Sequence, residues 1–184
     1  DGAASLYWRY GVWVDEGRYA GVNDEVRLMA EDNDGTICMD QKTGGCVRLT
    51  RVKDSIQVQR FTVKDGLPNQ TINPYYFFGQ MWFSTDNGEL YRFDQKTSRF
   101  YRDSTLHRKL GIDPAEAIVP VMEEPNGTLW FARGNDESKR FEPAYAVPDG
   151  DSYRVTILTH GRLKIKLTPG NFFIEKNTVW FYDH

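Results

Sequence analysis

The sequence predicts an all-β chain built from repeated four-stranded antiparallel units, and three observations carry that prediction. Sixteen Gly and eight Pro in 184 residues punctuate the chain at short intervals, which favours many short strands over a few long helices. Aromatic residues reach 14%, with 10 Tyr, 11 Phe and 5 Trp, inside an otherwise ordinary composition of 40% hydrophobic and 27% charged residues. The third observation is a repeat. "DGTICMD" at 34–40, "FGQMWFS" at 78–84, "NGTLWFA" at 126–132 and "KNTVWFY" at 176–182 each read as a tight turn followed by a short strand. They align Cys38, Trp82, Trp130 and Trp180 in one column, at intervals of 44, 48 and 50 residues.

A period in the forties made of short strands and turns is the signature of a β-propeller blade. Each element of the blade has a candidate. The first strand, a, falls at "EVRLMAE" (25–31), "INPYYF" (72–77) and "AIVPVME" (117–123), which puts Pro74 and Pro120 in one column once a two-residue shorter turn is allowed in the second repeat. The turn-strand motif supplies strand b. Strand c follows in "GGCVRLT", "NGELYRFD" and a degraded "ESKRFEP", and strand d in "IQVQRFTV", "SRFYRD" and "YRVTILT". Four antiparallel strands per unit make a propeller blade. In "QMWFS" Met81, Trp82 and Phe83 are all apolar, as expected of a strand covered on both faces, so the Trp column is assigned to packing between blades.

The blades are placed at about 17–62, 66–103 and 112–160, with a fourth at 163–184. Two arrangements of the fourth stay open. Residues 1–14 complete it and close a ring, which removes exposed strand edges, or the chain is a segment of a larger array. The chain opens on "DGAASLYW" with no initiator Met or signal-peptide pattern, as expected of a mature or excised segment.

The segment "DGLPNQTINPYYFFGQMWFSTDNGELYRFD" (65–94) resembles the two-component-regulator propeller repeat through Gly66-Leu67-Pro68, Trp82-Phe83-Ser84-Thr85, Asn87-Gly88 and Tyr91-Arg92-Phe93. "EEPNGTLWFARGN" (123–135) matches the middle of that pattern and "EDNDGTICMD" (31–40) its turn. Departures are Cys38 in place of the aromatic, the missing Gly-Leu-Pro outside the second repeat, and an irregular stretch at 141–170. The resemblance implies the periplasmic sensor region of a bacterial hybrid two-component system. Its expected role is to bind an oligosaccharide-like ligand outside the cytoplasm, in the periplasm or beyond, and signal to the remainder of the receptor chain. A second echo, "LYWRY" at 6–10, is similar to a strand of hemopexin-type four-bladed propellers, which act as interaction scaffolds.

Binding sites in propellers concentrate in the loops between strands d and a and between b and c, because rigid blades hold variable loops. Here these are 15–24, 65–71, 103–116 and part of 148–170, with 40–45, 84–88 and 133–138. They offer Arg18, Tyr19, Asn23, Asn69, Gln70, Asp86, Asn87, Arg133 and Asn135 as candidate ligand-binding residues. Amides, a phenol ring and guanidinium forks suit a polyhydroxylated or other polar small ligand.

Other chemistry is weakly signalled. "DNDGT" at 32–36 has the look of a calcium loop, but Ala30 and Cys38 stand where oxygen ligands are wanted, and a plain turn explains it. Glu123 and Glu124 are neighbours on a strand and point to opposite faces, unlike a catalytic carboxylate pair. No catalytic residue, metal site or cofactor is predicted. A net charge of -3 with scattered Lys and Arg gives no reason to expect nucleic acid, and the longest apolar run, "YYFF", is far too short for a membrane span. Open strand edges provide for a homodimer. Cys38 and Cys46 flank a turn, so they either bridge in a disulfide or sit as two small buried hydrophobes. A glycan-processing enzyme stands as the third alternative, after sensor and scaffold.

Overall fold

The computed structural model describes residues 2–53, 55–135, 140–158, 172–175 and 178–181. The described residues form an all-β structure of sixteen strands: β1 (Ala4–Arg9), β2 (Val12–Arg18), β3 (Met29–Glu31), β4 (Ile37–Asp40), β5 (Cys46–Val52), β6 (Ser55–Phe61), β7 (Ile72–Phe77), β8 (Gln80–Thr85), β9 (Leu90–Asp94), β10 (Arg99–Arg102), β11 (Ala117–Glu123), β12 (Leu129–Asn135), β13 (Arg140–Asp149), β14 (Ser152–Ile157), β15 (Phe172–Glu175) and β16 (Thr178–Phe181). One short helix, α1 (Thr105–Leu110), and a 3-10 turn at Val63–Asp65 interrupt them. Three four-stranded sheets follow one another in chain order, β3 to β6, β7 to β10 and β11 to β14, each a simple meander. Two-stranded sheets, β1-β2 and β15-β16, lie at the two ends of the sequence.

The chain divides into two compact units, residues 1–86 with 92–101, and residues 87–91 with 102–184. In the first, Val22, Met39, Val47 and Leu49 form a buried cluster against Tyr19, Ile37, Ile56 and Val58. Beside it Phe61, Phe83, Phe93 and Phe100 meet at ring separations of 4.9 to 5.1 Å. The three buried rings, Phe61, Phe83 and Phe100, each contribute about 1.5–3 kcal/mol by burial. In the second unit Leu106, Leu110, Ile112, Ile118, Leu129, Phe131, Ala144 and Ala146 are buried.

The register supports the repeat. Pro74 faces Phe83 and Pro120 faces Phe131, so the two prolines share a column, each in an edge strand where a missing N–H costs no ladder bond. The turns at 32–36 and 124–128 close with the same bonds. Asp32 N donates to Thr36 O (2.8 Å) and Gly35 N to Asp32 O (2.9 Å), while Glu124 N donates to Thr128 O (2.9 Å) and Gly127 N to Glu124 O (2.8 Å). Asp34 and Asn126 each accept from the backbone N–H two residues on, at 2.9 Å. "DNDGT" therefore behaves as the turn its column implies.

Several expectations need correction. Strand a of the first sheet is only Met29–Glu31, because the Asp40 side chain captures the backbone N–H groups of Arg27 and Leu28. The expected loop 15–24 begins later, since β2 runs to Arg18 in a hairpin with β1. The loop 103–116 contains α1, which buries Leu106 and Leu110 at helical spacing. Asp103 Oδ1 accepts from Thr105 N (2.7 Å) ahead of α1, and Gly111 (φ 63) closes it in the left-handed conformation. The irregular stretch 141–170 holds the longest strand, β13, paired with β14; residues 159–170 lie outside the described residues.

The disulfide is not formed: Cys38 and Cys46 are free and buried. Cys38 faces Arg48 and Cys46 faces Asp40, which makes the two cysteines diagonal neighbours on one face of the sheet. Diagonal Cα atoms lie ~7–8 Å apart, beyond the usual bridging range of ~4.4–6.8 Å. Burial pushes the Cys38 thiol up to about 12 and Cys46 well above its ordinary value.

Candidate functional site

Three loops of the first unit meet at the far end of β4. The β4–β5 turn, 40–45, is shaped by two glycines in the left-handed region, Gly44 (φ 101) and Gly45 (φ 79). Gly45 is also pressed against the next strand: a Cβ there would sit 2.2 Å from Phe61 O. The absence of a side chain lets Gly45 N donate to Gln70 O at 3.3 Å and bridge Thr71 in parallel, joining the turn to the 65–71 loop. That loop is set by a capping box, with Thr62 N donating to Asp65 Oδ2 (2.8 Å) and Lys64 N to Thr62 Oγ1 (3.3 Å).

The third loop, ending at 24–28, is fixed by carboxylates. Asp24 Oδ2 accepts from Thr43 N (2.8 Å) and Thr43 Oγ1 (2.5 Å). Those bonds, the hydroxyl first, hold the Asp24 carboxyl below its usual range. Lys42 Nζ donates to Glu25 Oε2 at 2.7 Å, which lowers Glu25 and raises Lys42. Asp40, fully buried, accepts from Arg27 N (2.7 Å), Leu28 N (2.9 Å) and Arg27 Nε (3.2 Å). All three carboxylates are thus engaged as structural clamps.

Two polar atoms nearby are buried with no hydrogen-bond partner, Gln41 Oε1 and the Tyr75 hydroxyl. Gln41 follows Asp40 and donates from Nε2 to the Asp40 carbonyl at 3.1 Å. Tyr75 stands in β7, which packs against β3 and β4. Burial first, then the charges of Asp40 and Asp86, push its phenol well above the ordinary tyrosine value. An unpaired buried polar atom costs about 1–3 kcal/mol, so both atoms are poised to gain from a ligand.

Of the residues singled out in sequence, Asn69, Gln70, Asn23 and Asp86 belong to this region. Asn69, Asn23 and Asp86 are exposed and Gln70 is half-buried. Arg18 and Tyr19 belong to the β1-β2 hairpin instead. Arg18 is paired in strand register with Ala4, and the Tyr19 hydroxyl shares a 2.5 Å hydrogen bond with Ser5 Oγ. Asn87, Arg133 and Asn135 fall in the second unit, where Arg133 forms an ion pair with Glu116 at 2.5 Å and Asn135 ends β12. Sequence reasoning missed Asp40, Gln41 and Tyr75. The available signal was position: Asp40-Gln41 occupies the column of Ser84-Thr85 and Ala132-Arg133, where strand b runs into its loop.

No family model matches this sequence, and no curated protein matches it either.

Proposed function

We propose that this chain is an extracytoplasmic ligand-sensing module, a β-propeller or part of one, that binds a neutral oligosaccharide-like ligand at the loop end of its first sheet. Three successive four-stranded meanders, the first and third with matching turns, are compatible with propeller blades. The observation that carries the binding site is the pair of unpartnered buried atoms, Gln41 Oε1 and Tyr75 Oη, where the 40–45 turn is joined to the 65–71 loop. A sugar hydroxyl is both donor and acceptor and satisfies either atom. Binding orders the loops and passes a signal to a partner domain of the receptor.

The test is titration of the 15N-labelled chain with neutral and acidic oligosaccharides, repeated on Tyr75→Phe. Shifts confined to residues near 41, 69–70 and 75, with roughly ten-fold weaker binding by the variant, support the proposal. No response to any oligosaccharide at millimolar concentration overturns it. A second reading has its own observation. The β1-β2 hairpin exposes Leu6, Trp8 and Trp13, at 61%, 59% and 65%, and such a surface favours a protein-interaction scaffold.

A further inference from the structure

The repeat places a tryptophan in the middle of strand b, and two sheets use its indole in visible ways. In the second sheet Trp82 stacks on Phe77 (5.2 Å between centroids, 13° between planes), and the Arg92 guanidinium lies 5.6 Å over its ring. In the third, Trp130 packs on its cross-strand partner Tyr145 at 5.1 Å, and its Nε1 donates to Glu124 Oε1 at 2.8 Å. Each indole therefore has a flat cross-strand companion, and Trp130 also has a carboxylate from the preceding turn.

The first sheet keeps the cross-strand arginine and the turn carboxylate and lacks both the indole and the ring stacked on it. Cys38 holds the column, facing Arg48 across the ladder, and Arg48 is separated from Arg92 by the same 44 residues that separate Cys38 from Trp82. Asp32 occupies the turn position of Glu124, as the matching turn bonds show. With no indole beneath it, the Arg48 guanidinium lies over Phe61 and Phe93, at 5.4 and 4.9 Å, and donates from one terminal nitrogen to Gln59 Oε1 (2.8 Å). Its Nε is buried without a partner. Where the indole would lie there is a cavity of about 280 Å³, lined by Asp32, Cys38, Arg48, Phe61 and Phe93 among others.

Size and chemistry agree on an occupant. A dry cavity of ~150 Å³ is enough to admit benzene, and drug-sized ligands take pockets of ~300 Å³ or more, so this one suits a single fused ring system. A guanidinium and phenyl rings favour a flat π surface, and Asp32 supplies an acceptor for a ring N–H. We propose that the cavity is a binding site for a small planar aromatic bearing a ring N–H, an indole or near analogue, seated where the other sheets place their own tryptophan. It is separate from the loop-end site and does not depend on it.

Indole and 1-methylindole are the probes, titrated calorimetrically into the full 184-residue chain. Saturable indole binding, with 1-methylindole at least roughly ten-fold weaker for want of the N–H, is the expected result. Cys38→Trp fills the cavity and abolishes binding. Should that variant fail to fold, Asp32→Asn decides. Its side-chain oxygen still accepts from Asn33 N, as Asp32 Oδ1 does at 2.7 Å, so the turn is kept while the preference for indole over 1-methylindole is lost. Tyr75→Phe leaves indole binding unchanged. No saturable indole binding up to its solubility, equal affinities for the two probes, or a folded Cys38→Trp variant that binds as the parent does would each overturn the proposal.

Discussion

Asp40 is expected to be the costliest side chain to truncate in the loop end of the first unit, and its bonds say why. Its side chain is 0% exposed, and one oxygen accepts the N–H groups of both Arg27 and Leu28, at 2.7 and 2.9 Å. The other accepts from Arg27 Nε at 3.2 Å, but that arginine side chain is 50% exposed. With its cation half in water, the ion pair is screened and worth less than ~1 kcal/mol. The two backbone bonds to a charged acceptor dominate, at about 1.5–3 kcal/mol each. Because the freed N–H groups are part-buried and gain some access to water, Asp40→Ala should cost about 3 kcal/mol, toward the low end of that sum. Asp40→Asn keeps an oxygen for both N–H groups and should cost about half as much; Arg27→Ala should cost under ~1 kcal/mol. Urea unfolding followed by circular dichroism measures all three. Should Asp40→Ala cost under ~1 kcal/mol, or Arg27→Ala match it, the carboxylate does not act as a backbone clamp and the assignment fails.

Three further outcomes can be checked with the same material. Gly45 and Gly35 share a φ of 79, but a Cβ at Gly45 meets Phe61 O at 2.2 Å while at Gly35 it meets nothing within 4 Å. Gly35→Ala should therefore cost only the left-handed strain, ~1 kcal/mol, and Gly45→Ala clearly more; equal losses in urea unfolding would refute the clash. Asp24 has a depressed pKa in the folded state, against an ordinary value of 3.8, so its contribution is present above about pH 4 and lost as pH falls through the lowered value. Thr43→Val removes the leading cause, and its destabilisation should be full at neutral pH and fade in acid; a pH-independent difference would refute the link. Binding of a neutral oligosaccharide at the loop end should survive ~1 M salt, where the screening length is ~3 Å, and a steep loss with salt would show that charges hold the ligand.

Most of the strand pattern was legible in the sequence because it is written locally. The turn glycines, the Pro74 and Pro120 column and the strand-d segments each carry their own signal, and the register agrees with them. What escaped was decided at a distance. The shortening of β3 comes from Asp40, twelve and thirteen residues along the chain, which no pattern within 25–31 reports. Helix α1 had Leu106, Leu110 and Gly111 in view, yet six residues are too few to nucleate alone, and burial of the two leucines sustains it. The cysteine pair was correctly placed beside a turn, but register, not spacing, set the two thiols diagonally.

The site shows the same division more sharply. That the 40–45 and 65–71 loops should converge followed from the repeat frame, and the Gly45–Gln70 bond joins them. Which side chains face inward did not follow, because residue type does not report burial: Asn23 and Asn69 drew attention and are exposed, whereas Gln41 and Tyr75 did not. Asp24, Glu25 and Asp40 are each occupied by Thr43, Lys42 and the 27–28 backbone. With these three carboxylates engaged, the Gln41 carbonyl, the Tyr75 hydroxyl and the amides of Asn69 and Gln70 remain for a ligand, beside the exposed carboxylate of Asp86. Such a surface discriminates by the placement of hydroxyl groups, since a misplaced donor leaves two buried acceptors unpaired. On the proposed reading the clamps also serve binding: by fixing the backbone on which these groups stand they pre-organise the three loops, and affinity should track the rigidity of that backbone as much as the number of contacts.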